Sequence, residues 1–74
     1  MTTQLCCVKE KSSCSILNVE GIERNRLSEL GFTKNTIVFV LQKSQNHGPI
    51  LVQIRDSVYA LRHDEAINIT VDTK

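Results

Sequence analysis

The sequence contains no tryptophan and only three aromatic residues, Phe32, Phe39 and Tyr59. A core must therefore be assembled from Ile, Val and Leu, which suits strands. Few aromatics also leave little for bases to stack on. Neither sign of charge dominates: nine Lys and Arg against eight Asp and Glu leave +1. That balance lacks the basic footprint of a DNA or RNA binder, and it argues against an anionic membrane surface as the main partner. No apolar run approaches the roughly 18 residues needed to span a bilayer. Residues 1–11 lack the basic start and long apolar stretch of a signal peptide, so a cytoplasmic protein is expected. Cysteines are few, odd in number and clustered early, at Cys6, Cys7 and Cys14. They form no disulfide framework and are expected to be free thiols in a reducing compartment. The two-residue spacing typical of paired zinc ligands is absent. So are a glycine-rich phosphate loop and any spacing that suggests a cysteine–histidine nucleophile, and an enzyme is not expected.

What is present, in 74 residues with 41% apolar content, is enough for one domain over residues 1–74. The stretch from Arg24 to Leu41 organises it. Ile22 to Leu30 reads as a short helix with Leu27 and Leu30 on one face. Glu23 lies near its positive end, in agreement with the helix dipole. Gly31 stands where a residue with positive φ commonly caps a helix, and Phe32 can fold back on the last turn. Thr33 to Thr36 reads as a tight turn. Ile37 to Leu41 then forms the most apolar strand, with Ile37, Phe39 and Leu41 on one face and Val38 and Val40 on the other. Apolar residues on both faces suggest a strand inside a barrel or between layers.

The remaining elements are short. Met1 to Gln4 is expected to be frayed or a weak edge, Leu5 to Val8 has some strand character, and Cys14 to Val19 is the first full strand. Ser44 to Pro49 is the clearest loop, marked by Gly48-Pro49. Ile50 to Arg55 follows, with Ile50, Val52 and Ile54 on one face. A two-residue connection at Asp56-Ser57 returns it as a hairpin to Val58–Arg62. His63 to Ala66 fits a single helical turn. In the last strand Ile67, Ile69 and Val71 alternate with polar residues. The fold expected is mainly β: a small barrel of five to six short strands with one short α-helix after the first core strand, closed so as to avoid open edges. Leu27, Leu30, Phe39, Ile54 and Ile69 are its expected core.

Together, Arg26-Leu27-Ser28-Glu29-Leu30-Gly31-Phe32, the apolar strand, His47-Gly48-Pro49-Ile50, Ala60-Leu61-Arg62 and Glu65-Ala66-Ile67-Asn68-Ile69-Thr70-Val71 resemble the FeoA family over Leu5 to Val71. The resemblance implies a small cytosolic protein with an SH3-like β-barrel. It further implies an accessory or regulatory role in bacterial ferrous iron uptake, through binding the cytosolic region of the FeoB-type membrane GTPase transporter. Similar barrels form the C-terminal domain of metal-dependent repressors, so a metal-sensing or metal-binding module is the alternative. Two departures from the family's pattern stand out. Asn35 replaces a usual glycine and is expected at positive φ. Ser12-Ser13 occupies the region of another common glycine, before the first core strand.

No residue is expected to be catalytic, and no cofactor or resident metal is expected; any contact with ferrous iron would be weak or transient. His47 and His63 fall in separate turns and read as exposed loop histidines. Asp64 and Glu65 read as solvated acids, and Arg26 and Arg62 as surface partners of carboxylates such as Glu29 or Glu65. The expected partner-binding residues are Arg24, Asn25 and Ser28 on the outer side of the helix, and His47, Gly48 and Pro49 in the loop. The transporter is the only partner expected, with the membrane reached through it and no nucleic acid.

Overall fold

Gly21 bends the chain before the helix can start. In the computed structural model, which describes residues 1–73, Gly21 has φ +94°, and a Cβ on it would stand 2.6 Å from the Asn68 side-chain nitrogen. The helix α1 therefore spans Arg24–Leu30 and not Ile22 onward. Ile22 is left on the preceding turn, 98% exposed. The helix ends as its sequence suggests. Gly31 takes φ +114°, and the Phe32 N–H donates to the Leu27 carbonyl at 2.9 Å. This back-bond turns Phe32 into the core, where it meets Tyr59 edge to face at 5.5 Å. The Tyr59 hydroxyl donates to the Leu30 carbonyl at 3.1 Å, so a strand residue satisfies one of the carbonyls that a helix end leaves free.

Among the described residues six strands make one antiparallel sheet: β1 Thr2–Gln4, β2 Ser13–Val19, β3 Ile37–Lys43, β4 Ile50–Ile54, β5 Ser57–Leu61 and β6 Ile69–Asp72. Their spatial order is β1-β6-β2-β3-β4-β5. A flat sheet of six strands would be roughly 29 Å wide and only about 10 Å thick. The molecule measures 27 × 25 × 24 Å, so the sheet curls around its own core. Two register shifts bend it, between Ile16 and Asn18 in β2 and between Val40 and Gln42 in β3. The curl stops short of hydrogen-bonded closure. Among the described residues β1 and β5 remain the two edges, contrary to the expectation of a sheet without open edges.

Several boundaries also differ from expectation. Residues 2–4, expected to be frayed or a weak edge, are a three-residue edge strand held by Thr3 opposite Val71. Leu5–Cys7 forms a 3₁₀ turn in place of a strand, and it buries Leu5 with Val8. The inward face of β3 is Val38 and Val40, while Ile37 is 60% exposed and Phe39 only half-buried. With both faces apolar, alternation cannot choose between them; the pairing of buried Cys14 with Val38 does. The β4–β5 turn falls on Arg55-Asp56, one residue earlier than expected, because Ile54 pairs with Ser57. Arg55 takes φ 55° in that turn. Ile67 lies outside β6 and is exposed, whereas Ile69 and Val71 are buried as the alternation indicates. Leu30 is half-buried and Leu27 fully so.

Asn35 adopts φ 71°, as its place in the glycine turn predicts. Before β2, the residue at positive φ is Lys11 (65°), just upstream of Ser12-Ser13. His63–Ala66 forms the second, single-turn helix α2. Among the described residues no helix is long and apolar enough to cross a membrane.

Candidate functional site

The start of α1 and the turn into α2 flank a cleft of about 470 Å³. Glu65, on α2, is only 8% exposed, which is costly for an ionised side chain unless it is paired. It is paired twice. One oxygen accepts the Arg62 backbone N–H at 2.9 Å and the other meets the Arg26 guanidinium. Arg26 also donates from Nε to Glu23 at 2.8 Å. Arg26, itself exposed, is thus held against the surface by Glu65 and Glu23, and α1 is pinned to α2 across the cleft. Arg62 contributes its backbone to this arrangement, with no ion pair from its side chain among the described residues.

Ile22 lines the open side of the same cleft. A large aliphatic side chain at 98% exposure, rimmed by Glu20, Glu23 and Arg62, is an apolar point in a polar frame. Sequence reasoning missed it by placing Ile22 inside the helix. The signal in the sequence was weak: on a helical projection Ile22 lies about 140° from Leu27 but only about 80° from Leu30, so the pattern alone did not set it apart. Arg24, Asn25 and Ser28 are all exposed, as expected, but none lines the cleft.

The loop between β3 and β4 is firmly folded. Asn46 and His47 both have positive φ, 57° and 61°. The Ser44 N–H donates to the Pro49 carbonyl and the Gly48 N–H to the Gln45 carbonyl, each at 3.1 Å. This geometry corrects the picture of two unrelated loop histidines. His47 Nδ1 lies 3.1 Å from His63 Nε2, and the ring centres are 4.3 Å apart. The pair sits in a shallow recess with Pro49, Arg62 and Asp64. Arg62 and Asp64 also line the larger cleft, so the two depressions are neighbours.

The thiols are elsewhere. Cys14 is buried, with Sγ 3.7 Å from the Val38 carbonyl, and burial pushes its thiol up to about 11. Cys6 and Cys7 Sγ atoms stand 3.9 Å apart, unlinked. Burial first, and then the neighbouring Cys7, raise the Cys6 thiol against the opposing pull of Lys43. Protonated thiols are poor nucleophiles and poor metal ligands. Among the described residues no group of three or more His, Cys, Asp or Glu side chains converges to hold a metal ion.

Comparison with known proteins agrees with this architecture. The FeoA domain model matches residues 3–73. FeoA of Stenotrophomonas maltophilia, described as a zinc complex and a prokaryotic SH3-domain protein possibly acting as a ferrous iron transport activating factor, is 30% identical. It superimposes with a TM-score of 0.85 over 95% of this chain and 89% of its own. An iron uptake regulatory protein (FeoA) aligns over 100% of this chain and 99% of its own, with TM-score 0.90 and 20% identity. A manganese-dependent transcriptional repressor shares the fold at TM-score 0.86 and 17% identity, over 99% of this chain but 42% of the repressor. None of the curated proteins matches at a significant level.

Proposed function

The chain belongs to the FeoA family, implicated in ferrous iron transport, and from that footing we propose that it is a non-catalytic accessory that docks on the cytosolic region of a FeoB-type transporter. The observation that carries this reading is Ile22. It is an exposed aliphatic anchor on a turn fixed by Gly21, beside a cleft whose walls are locked by Arg26, Glu23 and Glu65. Interfaces concentrate binding energy in a few apolar or arginine anchors set in a polar rim, and a preorganised anchor loses little entropy on docking. Arg24, Asn25 and Ser28 extend the face along α1. His47, Gly48 and Pro49 form its far side, reached through Arg62 and Asp64. The shared fold of the manganese-dependent repressor supports no sensing function by itself.

The test is ferrous iron uptake in cells whose own copy is replaced by an Ile22→Glu variant or by an Arg24→Ala, Ser28→Ala double variant. All three positions are exposed, so the fold should survive, as circular dichroism will verify. Uptake should change in the Ile22 variant, with a smaller change in the double variant. Uptake identical to wild type in both, with normal protein levels, means that the helix face is not the docking surface.

A further inference from the structure

We propose that His47 and His63 form a two-imidazole binding site for a borderline divalent transition ion, of the zinc, nickel and copper class. The inference is independent of the docking reading above. Nitrogens on adjacent positions of one ion, each about 2.1 Å from it, stand roughly 3.0 Å apart at a right angle and roughly 3.4 Å apart in a tetrahedron. His47 Nδ1 and His63 Nε2 are 3.1 Å apart, within that bite. Without an ion the two nitrogens share a hydrogen bond, one ring donating and the other accepting. A straight N–H···N bond at this length would set the rings end to end, with centres more than about 5 Å apart. Here the centres are 4.3 Å apart with the planes at 61°, so that bond is bent, and a switch of tautomer in the donor ring frees both nitrogens for an ion.

The backbone holds this convergence without a ligand. His47 is fixed by two consecutive left-handed residues and by the Ser44–Pro49 and Gly48–Gln45 hydrogen bonds. His63 opens α2, whose first turn is tied by the Glu65 carboxylate to the Arg62 N–H. Both ligands therefore sit on closed backbone before an ion arrives, which favours binding over a pair that must be assembled. Asp64 beside the pair offsets the Arg62 charge that shares the recess. Two protein ligands leave the other coordination positions open to water or to a side chain from a docked partner. Imidazole pairs bind copper, nickel and zinc ahead of ferrous iron, so the site discriminates against iron at equal concentration. The recess adjoins the Ile22 cleft through Arg62 and Asp64, which puts an ion within the proposed docking face.

The experiment is a zinc titration of the tag-free protein, followed by the histidine ring nitrogens in long-range proton–nitrogen NMR spectra. It is repeated on a Cys6→Ser, Cys7→Ser variant so that thiol binding is read separately. His47 Nδ1 and His63 Nε2 should shift together in one saturable step, at one zinc per chain, in both proteins. His63→Gln should weaken the remaining ring's response about tenfold or more. So should His47→Asn, chosen because asparagine tolerates the left-handed backbone at that position. The proposal is overturned if the two rings respond at different zinc concentrations, if the response disappears with the thiol pair, or if either single variant retains wild-type affinity.

Discussion

Truncating Leu27 to alanine should do more damage than any other change on α1. Leu27 has no accessible surface, and its carbonyl also anchors the back-bond that turns Phe32 inward. Removing a fully buried leucine side chain costs about 2–5 kcal/mol, the upper end applying where the surroundings cannot collapse. Collapse is restricted here because α1 is pinned at both ends, by Arg26 to Glu65 and by Leu30 to Tyr59. A domain of this length has a total stability of roughly 4–11 kcal/mol, so the loss takes a large share of it. At about 4–8 °C of melting temperature per kcal/mol for a chain of this size, the midpoint should fall by at least about 8 °C. The sequence has no tryptophan, so the assay is far-UV circular dichroism in urea and on heating, with Leu30→Ala and Ile22→Ala measured alongside. Leu30, half-buried, should cost roughly half as much as Leu27. Ile22, 98% exposed, should stay within about 0.5 kcal/mol of wild type. A Leu27→Ala variant no less stable than Leu30→Ala would refute this assignment of the helix face.

Two further outcomes follow from single groups. Asn35 stands at φ 71°, so Asn35→Gly should be neutral or mildly stabilising, while Asn35→Val should cost about 1–2 kcal/mol from the left-handed strain; equal urea midpoints would contradict this. Burial raises the Cys14 thiol from 9.0 to about 11, so the folded chain keeps a proton that the unfolded chain gives up. That contribution is complete below pH 9 and is lost as pH rises towards 11, by at most about 3 kcal/mol. Alkaline denaturation midpoints should therefore decline less steeply in Cys14→Ala than in wild type.

Much of the fold was legible because local chemistry and tertiary structure agree. Gly31 and Asn35 signalled their positive φ, and Ile50, Val52 and Ile54 alternated as a buried face. Legibility failed where a residue's role depends on a distant neighbour. Both faces of β3 are apolar, and only the pairing with β2 selects Val38 and Val40. The delay of α1 goes with the left-handed turn at Gly21, where the missing Cβ leaves room for the Asn68 side chain 47 residues on. His47 and His63 are 16 residues apart, in a loop and at a helix start, and no local pattern brings their rings together. The pairing of Arg26 with Glu65 was within reach, because an exposed arginine takes a carboxylate partner and Glu65 was one of two candidates, beside Glu29. The burial of Glu65, by contrast, became visible only once α2 packed on the core.

The central claim, docking on the transporter through the Ile22 face, is tested most directly by calorimetric titration of the purified chain into the isolated cytosolic region of a FeoB-type transporter, with and without guanine nucleotide. Saturable 1:1 binding is predicted in at least one nucleotide state, weakened about tenfold or more by Ile22→Glu and unaffected by Lys34→Ala, an exposed change in the Thr33–Thr36 turn outside the cleft. Absence of binding in every nucleotide state, or binding that Ile22→Glu leaves intact, would contradict the account.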